Sequence, residues 1–233
     1  MKARDWDRLA DVYDDEVMNI FVRDRGNVVG QWLRAHGLLR GKKTNLDVGC
    51  GIGSFVKKYG RHFGMNTGVD HSRRMLRVAG RRCRTIPGCR WLQADLEHLP
   101  RSLYDSVDLV ICANVISFVS EAACHRAMRV IVQCARVSGW LLIVLPALES
   151  HDAMTAYKKG RAQRPRKDAS AVVRRDDRLQ RFFGAKGARQ LAAQAGMRSI
   201  RLQKVWYPWI DEGITRPPRG GELPWCWLLT GRR

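Results

Sequence analysis

The sequence predicts an α/β fold, a doubly wound, mostly parallel sheet with helices on both faces. Three observations predict it. Short β-type runs alternate with helix-period segments from residue 45 to residue 145, the signature of successive βαβ units. Two of those runs, Val107–Cys112 and Leu141–Leu145, are continuously apolar, as strands covered on both faces must be. The first run ends in glycines at alternate positions, Gly49, Gly51 and Gly53, which permit a positive-φ turn and leave no Cβ between the backbone and a ligand.

Taken in chain order, residues 1–14 hold few apolar groups and read as an exposed lead-in. From Asp15 to Leu39 the apolar positions Val17, Ile20, Phe21, Val28, Val29, Trp32 and Leu33 recur at helical spacing, with Gly26 dividing two helices. Residues 1–40 are therefore expected to form a helical extension, and 41–233 a single domain with a basic insert at about 150–184. Strands are predicted at 45–48, 65–70, 90–94, 107–112 and 139–145. Helices at 53–63, 72–83 and 120–137 separate them, with a short helical or turn segment at 96–104. After Pro146 the pattern breaks, and 157–182 is polar and basic. A helix at 185–195 closes at Gly196, a C′ glycine stop. Strands at 197–206 and Trp225–Thr230, joined through a Pro/Gly-rich turn at 217–224, bring the count to seven.

The bulk numbers narrow the function classes. An apolar content of 45% excludes wholesale disorder. The longest apolar stretches, Val107–Val119 and Trp140–Leu148, are too short to span a bilayer. No secretory signal is read at the start. Asp5, Asp7, Asp11, Asp14, Asp15 and Glu16 argue against a mitochondrial leader, so a cytoplasmic protein is expected. Seven cysteines form no CxxC pair and no Cys/His zinc spacing, so they read as reduced, mostly buried thiols with no metal. The net charge of +20 is the unusual feature. It is compatible with nucleic acid, an anionic membrane surface or an acidic metabolite, or with arginines spread over solvated faces for compositional reasons. Residues 157–204 concentrate it, with 15 Lys/Arg against Asp168, Asp176 and Asp177.

The glycine loop excludes two cofactor classes. A dinucleotide fold wants G-x-G-x-x-G, and here Ser54 stands where the third glycine belongs. A phosphate-binding G-x-x-x-x-G-K-[ST] is absent from the sequence.

Asp47-Val48-Gly49-Cys50-Gly51-Ile52-Gly53 resembles the first motif of the class I S-adenosylmethionine-dependent methyltransferases. Gly68-Val69-Asp70-His71-Ser72, followed by Met75-Leu76, resembles the second, and Gln93-Ala94-Asp95-Leu96 the third. Asp108–Val115 resembles the fourth, and Ala135–Pro146 the passage from helix to fifth strand. The matches stand in family order over about residues 40–150. The resemblance implies a seven-stranded sheet with its last strand antiparallel and S-adenosylmethionine as cofactor. It implies that Gly49, Cys50, Gly51 and Gly53 lie against the methionine part and that Asp70 accepts from the ribose hydroxyls. Asp95 would accept from the adenine amino group beside the Leu96 N–H. His71 and Met75 would pack on adenine, and the backbone around Asn114 would line the reaction cavity. Bland alternatives stand beside these: a helix cap for Asp70 (although Ser72 is better placed), a turn acid for Asp95, and core packing for Met75.

Two departures from the family pattern are visible. Ser138-Gly139-Trp140 replaces the usual Pro-Gly-Gly, and Ile116-Ser117-Phe118 stands where a histidine or aromatic pair is common. The catalytic group is therefore not marked. Candidate bases are Tyr13, in a lead-in that often folds over the pocket in this family as a lid, and His151, just past the fifth strand, with Glu149 beside it. The sequence lacks [DN]-P-P-[YFW] and a Pro-Cys nucleophile, which argues against those two base- and amide-methylating devices. The expected function is methyl transfer to O, N or C of a small metabolite, an anionic one being suggested by the basic segment. The alternatives are an RNA or other macromolecular substrate docked through 157–204, and a binding or assembly factor that has lost catalysis.

Overall fold

A computed structural model describes residues 3–13, 19–160, 168–175 and 178–233. Of the predicted features, Val17 and the acids at 14–16 lie outside the described residues, as do Arg161, Arg164, Arg166, Lys167, Asp176 and Asp177 of the basic segment. The main sheet has seven strands: β1 (Thr44–Val48), β2 (Met65–Asp70), β3 (Cys89–Gln93), β4 (Val107–Ala113), β5 (Ala135–Pro146), β8 (Arg198–Trp206) and β9 (Trp225–Arg232). Their order is β3-β2-β1-β4-β5-β9-β8. β1 to β5 run parallel, and β9 lies antiparallel between β5 and β8. The predicted doubly wound sheet with its antiparallel last strand is what forms.

The alternation of side chains along β4 and β5 builds two cores, one on each face. Val110, Cys112, Leu141, Ile143 and Leu145 point to one, packed by α6 (Glu121–Cys134) and α8 (Ala185–Gln194). Leu109, Ile111, Leu142 and Val144 point to the other, packed by α2 (Ile20–Arg23), α3 (Val28–Ala35) and α4 (Ser54–Tyr59). Gly26, at φ 91°, separates α2 from α3 as expected. The N–H groups of Gly196 and Met197 bond to the carbonyls of Ala193 and Ala192, closing α8 at the predicted glycine.

Four stretches differ from the sequence reading, each for a physical reason. The lead-in is not simply exposed: α1 (Ala3–Leu9) forms and packs on α5 (Arg73–Arg82), burying Ala10 with Ile52 and Met75. Beyond Pro146 the chain makes α7 (Leu148–Lys158), whose apolar residues are too sparse to show a helical period. Within the basic segment, β6 (Ser170–Arg175) and β7 (Arg178–Phe183) pair as a hairpin, anchored where Arg181 N–H donates to the Ser117 carbonyl. The predicted helix at 120–137 stops at Cys134 because Ala135 already pairs with Val107. β5 then shifts register past Ser138, at φ 61°.

One side chain fixes how the β3 edge packs. The Trp91 ring lies over the bare faces of Gly68 and Gly53, where added Cβ atoms would stand 2.4 and 2.9 Å from it. Gly68→Ala should therefore cost about 1–3 kcal/mol, read as a lowered urea midpoint, with part of the loss returned by Trp91→Leu in the same chain. An unchanged midpoint in Gly68→Ala would mean that the ring is free to move aside.

Candidate active site

In an open parallel sheet, ligands bind outside the carboxyl ends of the strands where the strand order reverses. Here the reversal lies between β1 and β4. The loop after β1 is the glycine loop, and the loop after β4 begins at Asn114. The two touch, since a Cβ on Gly49 would stand 2.2 Å from the Val115 side chain.

The glycine loop is fixed by β2. Gly49 and Cys50 both donate their N–H to the Val69 carbonyl, at 2.8 and 3.0 Å. The next residue along β2, Asp70, accepts from Gly51 N–H at 2.9 Å and from Ser72 N–H at 2.8 Å, one on each carboxylate oxygen. Gly49, Gly51 and Gly53 all take positive φ, and their bare sides face different ways. Gly49 meets Val115, Gly53 meets Trp91 and Ala79 in the interior, and Gly51 meets Tyr13, whose hydroxyl would stand 3.3 Å from an added Cβ.

Two acids share this buried place. Asp47 is 2% exposed, and burial, with the Asp70 charge adding to it, pushes its carboxyl up to about 8. Burial also raises Asp70, but the Ser72 and Gly51 N–H groups pull it back. Like charges close together do not both ionise readily, so the N–H donors decide: Asp70 carries the charge and Asp47 keeps the proton. Burial likewise pushes the Cys50 thiol up, leaving it an inert packing group.

The N-terminal segment closes over the loop. Asp7 on α1 accepts from the Ser72 hydroxyl at 2.6 Å and from Arg74 N–H at 3.2 Å, and the Ser72 bond holds its carboxyl below the usual range. Ser72 accepts from Met75 N–H at 3.1 Å, so Ser72 is the N-cap of α5. Arg74 pairs with Asp11. Met75 is core, packed on Ala10 and Ile52 with Tyr13 and Trp6 against them. His71 Nε2 is buried with no hydrogen-bond partner among the described residues. Asp95 is exposed and accepts from Glu97 N–H at 2.8 Å, capping the turn that begins at Leu96.

On the β4 side, Asn114 adopts φ 58°, donates its N–H to the Val144 carbonyl and accepts from the Cys226 thiol. The two candidate bases part company. Tyr13 sits on the glycine loop. His151 stacks at 4.8 Å on Phe182 of the hairpin, with Thr155 Oγ1 3.3 Å from its Nε2. Glu149 is also committed, accepting from Ala185 N–H and from the Trp227 indole. The residues that sequence reasoning missed are Asp7 and Trp91. Their roles depend on partners far along the chain, and no local signal marks them.

Comparison with known proteins agrees with this geometry. Residues 46–139 match the family model described as a methyltransferase domain. Over those residues the chain has the sequence pattern of a methyltransferase domain. It is 30% identical over 129 residues to the demethylmenaquinone methyltransferase of Tropheryma whipplei (strain Twist), covering 52% of this chain and 51% of that one. The chain thus spans about half the length of the curated relatives it matches. Among solved structures, the magnesium protoporphyrin IX methyltransferase of Synechocystis PCC 6803 with bound SAH superposes with a TM-score of 0.66. The two are 18% identical over 99% of this chain and 94% of that one. The N-methyltransferase NodS of Bradyrhizobium japonicum WM9, in complex with S-adenosyl-l-homocysteine, gives 0.64 at 18% identity, over 98% and 96%. At these identities the likeness establishes the fold.

The Asp47 proton gives this domain a pH signature. The unfolded acid ionises near its ordinary value of about 3.9, while the folded one holds its proton up to about 8. Between these values the unfolded chain binds fewer protons, so this group's stabilisation is lost as pH rises. Asp47→Asn should flatten that slope, melting several degrees above the wild type at pH 8 and much closer to it at pH 5. Parallel Tm–pH curves for the two proteins would show that Asp47 is already ionised.

Proposed function

We propose that this domain transfers a methyl group from S-adenosylmethionine to O, N or C of a small organic molecule. The single observation that carries the reading is the Asp70 carboxylate. It stands at the carboxyl end of β2, beside a glycine loop at the point of strand reversal, and is fixed by two N–H donors.

The residues present fit that cofactor. Gly51 places no side chain over the loop, and the Tyr13 ring covers it on that side. His71 Nε2 is a buried polar atom awaiting a partner. The Asp47–Asp70 pair makes the place favourable to a cation. S-adenosylmethionine supplies an activated methyl on a positively charged sulfonium, and the chain supplies binding and alignment. The backbone of Gly49, Cys50, Gly51 and Gly53 cradles the methionine part. Each Asp70 oxygen already accepts one N–H and keeps another lone pair, enough for the two ribose hydroxyls. Asp95 and the Leu96 N–H read the adenine edge, and His71 walls the ring. The Asn114 backbone faces the reacting centre from the β4 side.

Residues 1–40 serve as the lid, latched through Asp7 to Ser72, and the basic insert at about 150–184 covers the acceptor. An acceptor that must lose a proton finds Tyr13 as the nearest candidate base, whereas His151 holds the hairpin against α7. Two proteins similar to this chain, one in sequence and one in fold, are named for demethylmenaquinone and magnesium protoporphyrin IX, both ring-bearing small molecules. That favours a ring-bearing acceptor here over a macromolecule.

Calorimetric titration of S-adenosylhomocysteine tests the assignment. The wild type should bind at micromolar concentration, and Asp70→Ala should bind about ten- to a hundredfold more weakly. A folded wild type that neither gives heat nor gains Tm with S-adenosylhomocysteine would refute the cofactor and leave a binding or assembly role.

A further inference from the structure

The charge of +20 is unevenly neutralised. Several surface cations elsewhere stand against carboxylates: Arg126 with Glu97, Arg136 with Asp108, Arg233 with Asp105 and Lys204 with Glu222. Residues 57–94 hold ten Lys/Arg and one acid. That acid is Asp70, buried and committed to backbone donors. The densest part is the outer face of α5. Arg73, Arg77 and Arg81 follow one another at i, i+4 and are all exposed, and exposed Arg84 and Arg90 continue beyond the helix end. Arg74 has Asp11 and Arg77 feels Asp7, but Arg73, Arg81, Arg84 and Arg90 make no ion pair among the described residues.

Folding alone disfavours this arrangement. Like charges at i, i+4 repel. The first turn of α5 holds Arg73 and Arg74 and no acid of its own, and the carboxylate that faces that end is Asp7 of the N-terminal segment. An anionic partner relieves the repulsion along the helix, and the guanidinium fork suits phosphate oxygens.

We propose that the α5 arginine face docks the protein onto an anionic phospholipid surface. Four to eight Lys/Arg presented on an amphipathic helix is the arrangement that holds to acidic headgroups. The surface is the outside of a helix, and residues 57–94 expose no Phe, Tyr or Trp, because Trp91 is turned inward over Gly68. Single-stranded RNA, the rival polyanion, is held by stacking on exposed aromatics. No described helix is long and apolar enough to cross a membrane, so the contact is peripheral and sensitive to salt.

The test is flotation of the whole protein with vesicles of phosphatidylcholine, with and without 30 mol% phosphatidylserine. The comparison set is wild type, R73Q/R77Q/R81Q, and a charge-matched control, R34Q/R40Q/R101Q, whose arginines are exposed elsewhere. Wild type and control should bind only the acidic vesicles and release in high salt. The α5 variant should bind about a hundredfold more weakly with an equal or higher Tm, since a repulsive ladder has been removed. Any of three results overturns the proposal: no wild-type binding, equal loss in the control, or tighter binding of single-stranded RNA that the α5 variant abolishes.

Discussion

The structure depends on one carboxylate and the two N–H groups that bind it. Asp70 joins the loop after β1 to the start of α5 by accepting from Gly51 and Ser72. Burying a charge is unfavourable unless donors replace water, and a loop of positive-φ glycines gains little order from its own side chains. Each defect removes the other, because the acid gains its donors and the loop gains its shape. The same balance assigns the protons, since Asp47, buried nearby without such donors, is left as the neutral partner. The bond from Ser72 to Asp7 extends the network to α1, so lid, loop and acid form one connected unit.

Much of the fold was legible because its evidence is local. Continuous apolar runs mark β4 and β5, and the glycines and Asp70 lie at strand ends that the alternation itself predicts. What was hidden depends on distant partners. α1 has little apolar surface of its own and is held by Asp7 and Asp11 reaching residues more than 60 positions away. In β6 and β7, arginines interleave with Val172, Val173 and Leu179, so a pairing that needs the Ser117 carbonyl reads as a solvated stretch. The site shows the same division. That three glycines were needed was plain, but that they face Val115, Tyr13 and Trp91 in turn emerges only from the folded chain.

Charge follows a similar rule. The segment 157–204 is the most basic by count, yet several of its cations are occupied in the fold, Arg181 by Ser170 and the Val119 carbonyl and Lys204 by Glu222. The arginines of α5 are fewer but face solvent along one helix. Where a cation points and what already holds it decide its use more than how many neighbours share its sign.

Amide hydrogen exchange at Gly51 and Ser72 in the ligand-free protein tests the central claim most directly. If Asp70 holds the loop before any ligand arrives, both amides exchange orders of magnitude more slowly than an unstructured chain, and S-adenosylhomocysteine slows them further. Exchange at unstructured rates in the folded, ligand-free protein would contradict the account. It would mean that Asp70 does not bond these amides and that the glycine loop takes its shape only from what it binds.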